Sequence, residues 1–167
     1  MFAVGTACSG CSAILADTSI IVSSAETKAT DTAEILAGVL GLEIEVHERM
    51  HENDRSATGY LPPKIFEATA NQFFASPEQS VRGWERAVDA QKRIVEEAEM
   101  VMVKHQHGDL LLVGHGGVGT LLYCHYAGLP VDRQYDQPPN GGGNVIALDI
   151  NNRTALHGWL PMEDVLQ

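Results

Sequence analysis

His115 stands between an apolar run and a cluster of glycines, in Asp109-Leu-Leu-Leu-Val113-Gly-His115-Gly-Gly-Val-Gly-Thr120. The apolar run reads as a buried strand, the glycines as a tight turn and the residues after the turn as a helix. His115 is then at the carboxyl end of a strand, with Gly116 opening the helix. The first turn of a helix carries unpaired N–H groups and partial positive charge, which favour an anion such as phosphate. A histidine beside that anion is placed for chemistry on phosphorus. On the plainer reading, Gly116 and Gly117 only permit the turn and His115 is a bystander.

The same residues, Gly114-His-Gly116-Gly-Val-Gly119, also satisfy the glycine spacing of a dinucleotide-binding turn. That turn needs an acid about 20 positions on, at the end of the next strand, to hold a ribose. Here that distance falls in Gln137-Pro-Pro-Asn-Gly-Gly-Gly143, and Asp149 lies too far along. Cys8 and Cys11 form a C-x-x-C pair, but the third cysteine, Cys124, belongs to the helix after His115, and no second ligand pair completes a zinc site. No metal and no cofactor are expected. His105 and His107 fall in a polar turn, where exposure is the simpler reading.

These residues need elements to position them. The chain has 167 residues, enough for one α/β domain with its own core. Its composition is 44% hydrophobic and 20% charged, with no apolar run near the ~20 residues of a membrane span. A net charge of −11 with only 11 Lys and Arg argues against nucleic acid, whose phosphates need clustered cations. The N-terminus lacks a basic segment and a long apolar run, so no secretory signal is expected and a cytoplasmic location follows by default.

Strand and helix periods alternate along the chain. Ser19–Ser23 reads as a short buried strand leading, through a Ser23-x-x-Glu26 capping box, into a helix that Gly41 ends. Leu42–Val46 alternates as an edge strand does, and Pro62 and Pro63 start a helix carrying Ile65, Phe66, Thr69, Ala70 and Phe73. The longest helix is expected from near Gly83, with Trp84, Ala87, Val88, Gln91, Ile94, Val95, Ala98 and Val101 as its core stripe. Asn144–Asp149 and Arg153–His157 read as a terminal hairpin. The polar stretch Glu48–Leu61 has neither period; a loop of that length is usually functional, the alternative being solvated charges that pair among themselves.

Taken together, the chain resembles the histidine phosphatase superfamily, which includes phosphoglycerate mutases and many phosphomonoesterases. Ile21-Val-Ser-Ser24-Ala-Glu-Thr-Lys28-Ala-Thr-Asp-Thr32-Ala-Glu34 is similar to the family's Ser-Ser-x-x-x-Arg-Ala-x-x-Thr-Ala-Glu segment. Glu48-Arg-Met-His-Glu52 resembles the region of the catalytic acid, and Val113-Gly-His115-Gly-Gly that of the second active-site histidine. The resemblance runs from about Ala13 to Trp159. It implies a three-layer α/β/α phosphoglycerate mutase-like sheet. It further implies His115 as oxyanion donor, Glu52 as general acid, Lys28 as phosphate clamp in the arginine's place, Arg55 as a second clamp and Gly116 at the phosphate. Lysine keeps the charge and loses the bidentate fork. The implied partner is inorganic phosphate or a small phosphorylated molecule.

The chain departs from the family at its start. The family opens with a strand ending in Arg-His-Gly, whose histidine is the nucleophile; here no histidine precedes His47. Phe2-Ala-Val4 resembles a remnant of that strand, with Gly5, Thr6 and Ala7 where the catalytic residues belong, so residues 1–12 are an atypical N-terminus and the first strand is expected to be short, displaced or absent. Loss of a central strand leaves ladder groups that another segment or a second copy of the chain must cover. Three readings are open: a phosphatase-family protein impaired by the missing nucleophile, a noncatalytic phosphate or phosphometabolite binder, and a dinucleotide-binding module.

Overall fold

Strands β2 (Thr18–Ser24) and β4 (Asp109–Val113) are parallel neighbours, with Ile21 opposite Leu111 and Ser23 opposite Val113. In the computed structural model, which describes residues 2–5, 15–139 and 142–165, they form the inner part of a six-stranded sheet of order β3-β2-β4-β1-β5-β6. The other strands are β1 (Phe2–Gly5), β3 (Ile44–His47), β5 (Asn144–Asp149) and β6 (Thr154–Pro161). Cys8 and Cys11 lie outside the described residues, which resume with a turn at Leu15–Asp17.

Alternation along β4 divides the core. Leu110 and Leu112, with Val22, Ile146 and Leu148, pack against α2 (Pro63–Ala75), α3 (Ala87–Lys104) and α4 (Gly116–Ala127). Leu111 and Val113, with Ile21 and Val145, pack on the other face against Ala29, Ala33 and Ala37 of α1 (Thr27–Leu40). A mixed sheet with a parallel centre and helices on both faces is the three-layer α/β architecture expected. The short helix α5 (Met162–Val165) ends the described chain.

β1 is four residues long and fills the slot between β4 and β5. It runs antiparallel to β4, with Phe2 opposite Leu112 and Val4 opposite Leu110, and parallel to β5. Its carboxyl end at Gly5 therefore lies beside the start of β4, at the far end of the sheet from His115.

Several element boundaries differ from expectation: β3 begins at Ile44 rather than Leu42, and β6 continues past His157 to Pro161. The longest helix begins at Ala87, because Arg82 and Gly83 adopt left-handed φ values of 54° and 83° that an α-helix does not admit. Trp84 stays extended and buried between Phe66 and Phe73. Nor does Ser23 form a capping box: Ser23 and Ser24 finish β2, Glu26 is the N-cap, and its backbone N–H donates to Ser24 Oγ at 3.3 Å.

Candidate functional site

The carboxyl ends of β2, β3 and β4 meet on one edge of the sheet, where open α/β sheets place ligands. Ser24 ends β2 opposite His47 of β3, and His115 is the N-cap of α4 after β4. The parallel register brings His115 Nε2 to 2.9 Å from Ser24 Oγ, and the two share a hydrogen bond. Glu26 Oε1 lies 3.5 Å from the same nitrogen and accepts the backbone N–H of Glu52 at 2.8 Å. Glu26 thus ties the β2 end to the loop that carries Glu52.

Glu52 reaches the start of α4. Its carboxylate accepts the N–H of Gly117 at 3.1 Å and of Val118 at 3.0 Å, the N–H of Asn53 at 3.1 Å, and pairs with Arg55 at 3.2 Å. The first-turn donors that the sequence assigns to a bound anion are held here by an internal carboxylate, the same charge chemistry satisfied within the chain. That approach is why position 117 is glycine. A Cβ there would lie 2.6 Å from Glu52 Oε1, and one on Gly116 would strike the Gln137 amide.

Arg55 stands over the rings of Phe66 and Trp84, with its guanidinium carbon 5.0 and 5.2 Å from their centroids. It also donates twice to Asn53 Oδ1, at 3.0 and 2.8 Å. Lys28 lies exposed in the first turn of α1, two residues beyond Glu26, and its ammonium has no ion pair among the described residues. Glu52, His115 and Arg55 are therefore joined through direct contacts and Glu26, whereas Lys28 touches none of them.

The His115 side chain is only 11% exposed. Burial pulls its pKa below the ordinary imidazole range, while the nearby carboxylates of Glu52 and Glu26 oppose that shift. A neutral imidazole flanked by two carboxylates can take up a proton, and charging it makes both ring nitrogens donors to an anion.

Several contributors carried no signal in the sequence. Arg93 of α3 donates to the carbonyls of Arg49 at 2.7 Å, His51 at 2.9 Å and Glu52 at 3.4 Å, and pairs with Glu85 at 2.8 Å. Glu85 in turn accepts the N–H of Asp54. This pair fixes the loop that presents Glu52. Beside Glu52, Gly116 and Gly117 opens a cleft of about 420 Å³, whose lining includes Phe66, Phe73, Trp84, Gln137, Pro138 and Pro139. Among the described residues no group of His, Cys, Asp and Glu side chains is arranged to hold a metal ion, and no helix is long and apolar enough to cross a membrane.

A family model described as the histidine phosphatase superfamily, branch 1, matches residues 12–158. Among solved structures, Bacillus stearothermophilus YhfR is 26% identical, with 85% of this chain and 72% of that one covered and a TM-score of 0.66. The mycobacterial glucosyl-3-phosphoglycerate phosphatase in complex with VO3 is 25% identical, with 70% of this chain and 62% of that one covered and a TM-score of 0.59. Mycobacterial hydrolase 2, at 23% identity and a TM-score of 0.63, shares the fold; 72% of this chain and 57% of that one are covered. The chain thus spans only about 57 to 62% of the length of these mycobacterial proteins. No curated protein matches it.

Proposed function

The chain belongs to the histidine phosphatase superfamily, and on that premise we propose that it binds phosphate monoesters or inorganic phosphate at the edge formed by His115, Glu52 and Arg55, with phosphoryl turnover impaired. In the intact family mechanism a histidine attacks phosphorus while an acid protonates the leaving oxygen. Charge spreads over the equatorial oxygens in that transition state, so preorganised donors supply most of the stabilisation. His115 is the donor in this reading, Glu52 the acid, and Arg55 and Lys28 the cations that meet the phosphate, Lys28 by swinging in from its exposed turn. Phosphate at the helix start must share or displace the contacts that Glu52 makes with Gly117 and Val118.

The observation that carries the reading is the direction of β1. Because it runs antiparallel to β4, its carboxyl end points away from His115, and no residue of Phe2–Gly5 is a histidine. Loss of the attacking residue in a covalent mechanism costs about a millionfold in turnover while the oxyanion donors keep their binding energy. The expected result is hydrolysis of an aryl phosphate barely above background by the purified chain, with weak binding of phosphate or vanadate by titration calorimetry that His115→Ala abolishes. Robust hydrolysis lost in His115→Ala would instead make His115, or a residue acting through it, the nucleophile.

A further inference from the structure

Which nitrogen of His115 meets a ligand is fixed by what holds the other. Nε2 lies 2.9 Å from Ser24 Oγ and 3.5 Å from Glu26 Oε1, so it is already partnered from the end of β2. Nδ1 has no partner among the described residues. The buried side-chain nitrogens and oxygens left unpaired there are Asn53 Nδ2 and His157 Nε2, so His115 Nδ1 is open to solvent. A neutral imidazole carries one proton, and an anion oxygen binds Nδ1 only if the proton is there.

Ser24 decides where that proton sits. It is fully buried, and its Oγ has two polar neighbours among the described residues, the backbone N–H of Glu26 at 3.3 Å and His115 Nε2. An N–H only donates, so Oγ accepts from Glu26, and its own hydrogen has one acceptor within reach, the Nε2 lone pair. With the proton on Nε2 instead, Oγ would accept twice and a fully buried hydroxyl hydrogen would have no partner, which buried polar groups rarely tolerate. The Glu26 carboxylate favours Nε2–H. It stands at 3.5 Å, its side chain is 48% exposed, and the same oxygen already accepts the Glu52 N–H at 2.8 Å, so the shorter bond to Ser24 prevails.

We propose that Ser24 is a positioning residue of the phosphate site: its hydroxyl donates to His115 Nε2, holds the neutral ring with its proton on Nδ1, and so presents Nδ1–H to a phosphate oxygen. This rests on the phosphate-binding reading above and adds to it how the site keeps a donor while the ring is uncharged. Ser24 acts through His115, since it is fully buried. Ser23 has a different task, because its hydroxyl donates to the Ser24 carbonyl at 2.9 Å.

The test is nitrogen NMR on the full chain with isotope-labelled histidine, in alkaline buffer that keeps the ring neutral and before phosphate is added. Wild-type His115 should show a protonated Nδ1 and a bare Nε2. In Ser24→Ala the proton should move to Nε2, where Glu26 is the remaining acceptor. Inorganic phosphate, titrated by calorimetry in the same buffer, should then bind Ser24→Ala about five- to tenfold more weakly than wild type, the span of one net hydrogen bond. A wild-type proton on Nε2, or a tautomer unchanged in Ser24→Ala, overturns the proposal whether or not phosphate binds. Equal phosphate affinities with the proton moved would overturn the role of Ser24 in binding. If the proton follows Ser24 and neither protein binds phosphate, the phosphate reading fails while the hold of Ser24 on the ring stands.

Discussion

His115 titrates in a pocket where burial outweighs two carboxylates, and that sets two pH dependences. Its folded pKa lies below the unfolded value, so between the two the unfolded chain binds more protons and stability falls as pH falls through that window. The slope contributed by this one group is at most ~1.4 kcal/mol per pH unit. Urea unfolding below the ordinary imidazole pKa should show wild type losing stability with acid more steeply than His115→Gln. Anion affinity should change in the opposite sense, rising as the imidazole charges, and calorimetry with phosphate across the same window checks it. Glu52 allows a second residue-level test. Glu52→Ala frees the N–H groups of Gly117 and Val118 and should destabilise the fold by about 2 kcal/mol, the scale of hydrogen bonds to a charged group. Added phosphate or sulfate should raise the melting temperature of the variant more than that of wild type, because the vacated donors bind it. His115 was legible from sequence because a strand, a glycine turn and a helix start leave it one position. Glu26 and Arg93 were not. An acid at a helix start reads as a cap, and an arginine on an amphipathic helix reads as solvated, until the fold brings it to carbonyls 41 to 44 residues away.

At the scale of elements, the loop between β3 and α2 is held chiefly from α3. Removing Arg93 leaves Glu85, only 17% exposed, without its cation and leaves the carbonyls of Arg49 and His51 without that donor. Arg93→Met should cost about 3 kcal/mol, the lower range for breaking a buried pair. Hydrogen exchange should then locate the loosening at residues 49–54 rather than across α3, whose stripe of Ala87, Ala90, Ile94 and Ala98 is untouched. The strands β2, β4 and β5 and the helices α1, α2 and α4 were readable because their apolar periods end at glycine, proline or a polar turn. The start of α3 was misplaced because the stripe continues in sequence through Trp84. The break is a backbone event at Arg82 and Gly83 that periodicity does not register. The direction of β1 was unreadable for a simpler reason: four apolar residues pair equally well either way.

For the molecule as a whole, the sheet connects its parts through β1. Fusing to the N-terminus a longer strand ending in Arg-His-Gly, able to run parallel to β4, should displace the four-residue strand and bring a histidine to the His115 edge; recovery of aryl phosphate hydrolysis above the background of the unmodified chain measures it. The position of β1 also governs how the molecule comes apart. β1 separates β3-β2-β4 on one side from β5-β6 on the other, and within the sheet each side pairs with it through a short ladder. In most sheets the middle is the last region to open, and its amides are the best protected. Here the middle is a seam. The β4 amides that pair with β1 should exchange with deuterium sooner than the β2 amides bonded to β4, so that the ladder at Phe2–Gly5 loosens first while α3 and α4, packed on both flanks, still hold them together.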